Sequence, residues 1–205
     1  MNDAPPADLA ADLAAIYPKP NERVIAKVRP ALDGHSRKFI ALSPFCVVAT
    51  SGRDGAVDAS PRGGHPGFVH IDGDRRLLLP DRAGNNRLDT LTNVTAGSGK
   101  VQLIFFVPGI NETLRVGGTA SLSTESSLLA RLEEFGKPPR SLLVIDVREV
   151  YFHCGKAIMR SRLWSQEAQV ARSAMSSISE IIHDQTSLGT PEPQDITDAR
   201  WREQL

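Results

Sequence analysis

The feature that most constrains the fold is a series of short apolar, β-branched segments separated by turn residues. Residues 45–50 and 57–60 flank a polar turn rich in glycine, and residues 68–71 and 76–79 flank an Asp-Gly-Asp turn. Apolar segments of this length, bounded by Gly, Asp and Pro, are typical of β-hairpins. Two hairpins in succession favour an antiparallel sheet over a parallel one.

Three further segments extend the series. Residues 101–107 and 113–122 lie on either side of a Pro108-Gly109 turn, and residues 141–150 form the last apolar run. The chain therefore contains six or seven strands with only short helices between them. This pattern predicts a mainly β protein with peripheral helices (α+β), and it suits an antiparallel β-barrel better than a parallel sheet.

Helical spacing is confined to short segments around these strands. Leu128, Leu129, Leu132 and Phe135 share one stripe, and a helix there is expected to cover an open end of the sheet. Residues 189–205 contain two prolines and are predicted to form a loosely held tail. The predicted helices cover residues 8–16, the segment from the cap Asn21 to about residue 28, the segment from the cap Ser36 to just before Pro44, and residues 87–93, 123–135 and 166–183.

A chain of 205 residues is long enough for one ordinary domain. We expect a helical amino-terminal extension over residues 1–35, a main domain over 36–165, and a helix with a tail over 166–205. The 24 basic and 24 acidic residues cancel, which argues against a nucleic-acid partner held by a basic face. No apolar run reaches membrane-spanning length and no signal peptide is visible, so a cytoplasmic protein without a membrane partner is expected.

Two cysteines, Cys46 and Cys154, make a weak case for a disulfide framework in a chain of this size, and buried or partly buried free thiols are expected instead. His153 precedes Cys154, but no second pair with metal-ligand spacing accompanies them. No metal site is predicted.

The first segment that carries chemistry is Asp58-Ala-Ser-Pro-Arg-Gly-Gly. Arg62 leaves a predicted strand, and the two glycines after it allow a ligand to lie close to the main chain. Because a guanidinium binds phosphate oxygens with two parallel hydrogen bonds, this arrangement suits an anion site. The alternative is a solvated Arg-Gly-Gly turn.

The second segment is Leu79-Pro-Asp-Arg-Ala-Gly-Asn-Asn-Arg, between a strand end and a short helix. Its amide donors, its arginines and a helix amino terminus converge, and phosphate is the anion that such a site favours. The alternative is a helix cap, with Asn85 or Asn86 satisfying the first turn while Arg82 and Arg87 face water.

The third segment, residues 151–164, combines Lys156, Arg160, Arg162 and Trp164. If it is helical, Lys156 and Arg160 are four residues apart and share a face. That face would suit a ligand phosphate or the acidic side chains of a partner subunit, and a solvated basic turn is the alternative.

Together the three segments resemble the pyridoxamine 5'-phosphate oxidase-like FMN-binding split barrels. Arg62, then Pro80-Asp81, then Asn85-Asn86-Arg87 occur in the order in which that family carries its phosphate-binding residues. The run Arg-Val-Gly-Gly-Thr-Ala from Arg115 is similar to a family strand. HCGKAIMRSRLW looks like the signature of a bacterial subgroup of uncharacterised flavoproteins. The resemblance covers most of residues 39–164.

This resemblance implies a six- to seven-stranded antiparallel split β-barrel that forms a homodimer with FMN at the subunit interface. It implies that Arg62, Asn85, Asn86 and Arg87 hold the phosphate. Asn85-Asn86-Arg87 replaces the family's Ser-Arg-Lys pattern, which removes one cation, and the residues with which true oxidases bind pyridoxal phosphate have no match in this sequence. Both departures argue against oxidation of vitamin B6 phosphates. The remaining cofactor contacts that it implies are Ser60, Pro80, Asp81, Lys156, Arg160 and Trp164.

The resemblance implies an FMN-dependent oxidoreductase that passes electrons from a reduced nicotinamide or similar donor to a small-molecule acceptor. One alternative is a flavin-binding carrier or sensor without turnover. Another keeps the barrel but binds haem or a deazaflavin. The five histidines are scattered along the chain, and no catalytic residue is predicted from them.

Overall fold

The structure, a computed structural model, describes residue 13 and residues 15–205. Within them, seven strands form one open sheet in the order β2-β1-β5-β6-β7-β4-β3, and every neighbouring pair is antiparallel. The predicted mainly β split barrel is confirmed. The strands are β1 (Phe45–Ser51), β2 (Val57–Gly63), β3 (His70–Ile71), β4 (Arg76–Asp81), β5 (Lys100–Phe106), β6 (Thr113–Ser123) and β7 (Ser141–His153).

Side-chain alternation explains how the sheet buries its core. Strand β5 buries Val101, Leu103 and Phe105, while the residues between them are only partly buried. Strand β4 instead buries Leu77, Leu78 and Leu79 in succession, because both of its faces are covered. Leu77 and Leu79 belong to the main core, whereas Leu78 packs in a smaller cluster on the other face.

Short helices surround this sheet. Asn21 caps the first of them, as predicted. Ser36 is not the cap of the second helix, because Asp33 takes that position and the Ser36 hydroxyl accepts from the Asp33 backbone N–H in return. The described helices are α1 (Glu22–Ala26), α2 (Gly34–Leu42), α3 (Asp89–Ala96), α4 (Ser126–Ala130), α5 (Lys156–Ser161), α6 (Ile178–Thr186) and α7 (Gln194–Gln204).

The helix predicted over residues 123–135 is wrong in length, since only α4 forms. The chain then turns, and Phe135 adopts a left-handed backbone with φ 55° and is 41% exposed. The cause is tertiary: the Arg82 guanidinium donates to the carbonyl oxygens of Leu132, Glu134 and Lys137 and holds the loop in place. Leu132 alone of the predicted stripe is fully buried, against Leu78 and Leu142.

The carboxyl-terminal region also differs from the prediction. Residues 166–183 do not form one helix but two single 3₁₀ turns followed by α6, and α7 occupies most of the predicted tail. The Gln194 side chain explains this order, because its Oε1 accepts from the backbone of Ile178 and from Arg172. Of the helix predicted over 8–16, residues 8–12 and 14 lie outside the described residues.

Both cysteines are free thiols. Cys46 is buried, whereas Cys154 is exposed and not buried as expected. In the part of the chain that the structure describes, no helix is long and apolar enough to cross a membrane.

Candidate functional site

The candidate site is a cavity at the seam of the open sheet. Strands β2 and β4 are not neighbours in the sheet order, yet the curvature of the sheet brings the end of β2 beside the end of β4. Between them lies a cavity of ≈ 390 Å³. Six of the predicted site residues line it: Arg62, Pro80, Asp81, Asn85, Asn86 and Arg87.

A hydrogen-bond network between β2 and α3 positions Arg62. Its Nη2 lies 3.4 Å from Thr90 Oγ1, and the buried Thr90 hydroxyl in turn donates to Asp58 Oδ2 at 2.8 Å. Ser60 Oγ donates to the same Asp58 oxygen at 3.1 Å. Because two hydroxyls satisfy the Asp58 carboxylate, the Arg62 guanidinium keeps donor capacity for a ligand in the cavity.

Ser60 itself faces a neighbouring cavity of ≈ 870 Å³. This second cavity shares Arg62, Asn85 and Arg87 with the first, so the two spaces form one continuous cleft. Seven of the ten predicted contacts are therefore brought together along this cleft.

The loop between β4 and α3 is ordered by its own side chains. Asn85 Oδ1 accepts from the backbone N–H of Arg87 at 3.0 Å, and Asn86 adopts a left-handed backbone with φ 57°. Helix α3 begins at Asp89 and has no side-chain cap. The alternative that Asn85 or Asn86 caps this helix is therefore wrong: Asn85 stabilises the loop, and both asparagines line the cavity.

Arginine dominates the charge of the cavity. Arg62, Arg82, Arg87 and Arg140 line it against the single carboxyl of Asp81. Two of these cations already have acidic partners. Arg82 Nη2 lies 3.2 Å from Glu134 Oε2, and Arg87 Nε lies 3.0 Å from Asp89 Oδ2.

Arg62 and Arg140 remain the cations best placed for a ligand. Burial raises the pKa of Asp81, and the nearby Arg62 and Arg140 charges lower it, with burial the larger effect. Four arginines against one carboxyl leave a positive cavity suited to a small dianion such as a phosphate group.

Cys46 lies opposite Arg62 in the β1–β2 register. Its thiol is buried, which raises its pKa to about 12 although Arg62 acts in the opposite direction. The group is therefore a neutral thiol at physiological pH and not a nucleophile.

The third predicted segment lies apart from the cavity. Only residues 156–161 of it are helical, as α5, and both Lys156 and Arg160 are exposed on this helix. Trp164 Nε1 donates to the carbonyl oxygen of Ile110 at 2.9 Å, and its ring lines an apolar groove of ≈ 410 Å³ beside Phe45. Neither Lys156, Arg160 nor Trp164 lines the cleft that contains Arg62.

Several residues of the site have no clear signal in the sequence. Arg140 lies just before β7, where its backbone N–H donates to the carbonyl oxygen of Asp81. Asp58 and Thr90 act through hydrogen bonds between separate elements, and only the tertiary structure pairs them. The sequence identifies Arg82 as part of the second segment. It gives no sign that the Arg82 guanidinium binds the carbonyl oxygens of residues 132–137.

The family model for Pyridoxamine 5'-phosphate oxidase matches residues 32–154, more than half of the chain. A search of curated protein sequences finds no match.

Among solved structures, HupZ from Group A Streptococcus is 17% identical, with a TM-score of 0.47, over 58% of this chain and 91% of that one. The FAD binding protein from Mycobacterium smegmatis is 12% identical, with a TM-score of 0.42, over 61% and 97% of the two chains. The conserved hypothetical protein Rv2991 from Mycobacterium tuberculosis is 16% identical, with a TM-score of 0.45, over 73% and 98%.

Proposed function

Because the chain belongs to the pyridoxamine 5'-phosphate oxidase family, we propose that it is an FMN-dependent oxidoreductase. In this proposal it passes electrons from a reduced nicotinamide or similar donor to a small-molecule acceptor. The observation that carries the proposal is the arginine-lined cavity at the seam of the sheet, where two separate chain segments present donors to one anion-sized space.

The residues present fit the phosphate end of FMN. Arg62 offers a guanidinium held in place by Thr90, and Asn85 and Asn86 bring amide groups from the ordered loop. Arg140 adds a second cation to the same cavity, and its Nη1 lies 3.5 Å from Asn86 Oδ1. Charge-assisted hydrogen bonds from such donors are about twice as strong as neutral ones.

The same cavity has an apolar side. Phe68, Leu88 and Leu91 line it together with the polar residues, and a mixed lining of this kind is typical of sites for ligands with one charged end. When bound, FMN supplies the redox chemistry. The chain's own contribution is to bind the phosphate, to orient the ligand and to limit its contact with water.

The test begins with the purified protein. A flavin absorption spectrum, and FMN identified by mass spectrometry after denaturation, are the expected results. Anaerobic addition of a reduced nicotinamide should then bleach the spectrum. Bound FMN that no common donor reduces would favour the carrier or sensor function, and a haem or deazaflavin spectrum would contradict FMN itself.

We further propose a homodimer with FMN at the subunit interface. The apolar groove beside Trp164, lined by Phe45, Val47, Phe106, Pro108 and Leu163, supports it because exposed apolar surface of this kind is stabilised by burial against another chain. In the proposed dimer, Lys156 and Arg160 of one copy contact the cleft of the other, since they line neither cavity of the cleft in their own chain.

Sedimentation velocity of the flavin-loaded protein tests the dimer. A single species with the mass of two chains is the expected result. A monomer that retains flavin would contradict the interfacial site and leave the cavity assignment intact.

A further inference from the structure

The carboxyl-terminal helix α7 lies beside the cleft. Trp201, Gln204 and Leu205 line the ≈ 870 Å³ cavity that also contains Ser60, Arg62, Asn85 and Arg87. Gln204 and Leu205 also line a third cavity of ≈ 530 Å³, which shares Arg82 and Arg140 with the candidate site. The last residues of the chain therefore contact the cleft at two places.

Polar contacts attach α7 to the part of the chain that precedes it. Gln194 Oε1 accepts from the backbone N–H of Ile178 at 2.9 Å, which attaches α7 to α6. The buried Thr197 donates to Glu192 Oε1 at 3.0 Å, and Arg200 is paired with the same carboxylate. These contacts hold α7 against α6 and the segment that precedes it, and the lining of the cavity places Trp201 of this helix at the cleft.

Trp201 presents an unusual surface for this position. Trp201 is 47% exposed and lines a cavity whose other residues are mainly polar or charged. Large aromatic side chains are stabilised by burial against flat apolar groups, and the indole ring offers such a surface next to the phosphate donors. A ligand with a charged end and an aromatic end matches this juxtaposition of Arg62 and Trp201.

We propose that α7 forms one wall of the ligand cleft and that Trp201 contacts the aromatic part of the bound ligand. The proposal rests on the function proposed above and assigns a ligand contact to a helix outside residues 32–154, the part matched by the family model. Arg62 and Trp201 then have separate roles, one for the phosphate and one for the ring.

The affinities for FMN and for riboflavin, which lacks the phosphate, distinguish these two roles. Trp201→Ala should weaken both FMN and riboflavin by the same factor, about five- to tenfold, because the lost contact is to the ring that both share. Arg62→Ala should weaken FMN alone, because riboflavin has no phosphate. Affinities are measured by titration of flavin fluorescence with the full chain.

Ile196→Ala is the matched control. Ile196 lies on the same helix, is 52% exposed and lines neither cavity. The affinity of the Ile196→Ala protein for both flavins should therefore equal that of the wild type. Circular dichroism of both variants should show unchanged helix content.

A second readout uses intrinsic fluorescence, since the chain contains only two tryptophans, Trp164 and Trp201. The part of the emission that Trp201→Phe removes should be strongly quenched when FMN binds the wild type. If the wild type binds FMN but Trp201→Ala keeps its full affinity for both flavins, this inference is wrong and the proposed function stands. If the wild type binds neither flavin, both fail.

Discussion

The double variant Arg62→Ala/Arg87→Ala should bind FMN about two to four powers of ten more weakly than the wild type. In the proposed site each arginine donates a charge-assisted hydrogen bond to the phosphate, worth about 1.5 to 3 kcal/mol, and the two losses add if the residues act independently. Arg62 should carry the larger share, because Arg87 is 76% exposed and already paired with Asp89. Titration calorimetry with FMN measures the loss.

Arg76→Ala/Arg131→Ala is the matched control for this experiment. It removes the same charge, but both arginines pair with Asp72 and neither lines the cleft. FMN affinity should stay near the wild-type value in this control. Riboflavin should bind the wild type far more weakly than FMN. Equal affinities for the two flavins, or an unchanged titration of the cleft variant, would remove the phosphate assignment.

Gly118→Ala should lower the free energy of unfolding by about 3 kcal/mol, the upper part of the usual range for overpacking a tight site. Gly118 lies where the β6–β7 register shifts, and a Cβ atom there would overlap the carbonyl oxygen of Asp146. The obstacle is backbone in the long central strand β7, which cannot turn aside as a flexible side chain would. Urea unfolding followed by circular dichroism measures the change.

Gly34→Ala provides the comparison. A Cβ atom at Gly34 would meet nothing within 4 Å, and the residue begins α2, where alanine is at least as favourable as glycine. Its stability should equal or slightly exceed that of the wild type. A Gly118→Ala protein as stable as Gly34→Ala would show that β7 can move away from β6 at the bulge.

The strands were predictable because their signals are local. All seven strands are identified by local signals, such as the alternation of apolar residues in 101–107 and the glycine-containing turns. Only their ends are less exact, since β2 and β7 each run three residues beyond their predicted ends. The seven predicted contacts from Ser60 to Arg87 meet at one cleft for a similar reason. They occur in two compact segments whose charges, amides and glycines lie next to each other in the chain.

The two incorrect helix predictions, over residues 123–135 and in the carboxyl-terminal region, share another cause. Helical spacing over 123–135 gives no sign that Arg82, about fifty residues earlier, bonds to the carbonyl oxygens after Leu129 and turns the chain. The predicted tail became α7 because Gln194 binds a helix that precedes it. In both cases a long-range hydrogen bond outweighs the weak preference of a short segment.

Local chemistry thus specifies the antiparallel strands, the turns between them and the residue types that suit an anion site. Tertiary structure alone decides that the ends of β2 and β4 lie side by side. It also decides that Arg140 and Trp201 line the cleft beside them. The reason is physical: periodicity and turn propensity act over a few neighbouring residues, whereas sheet curvature and side-chain bonds between distant segments exist only once the core has packed.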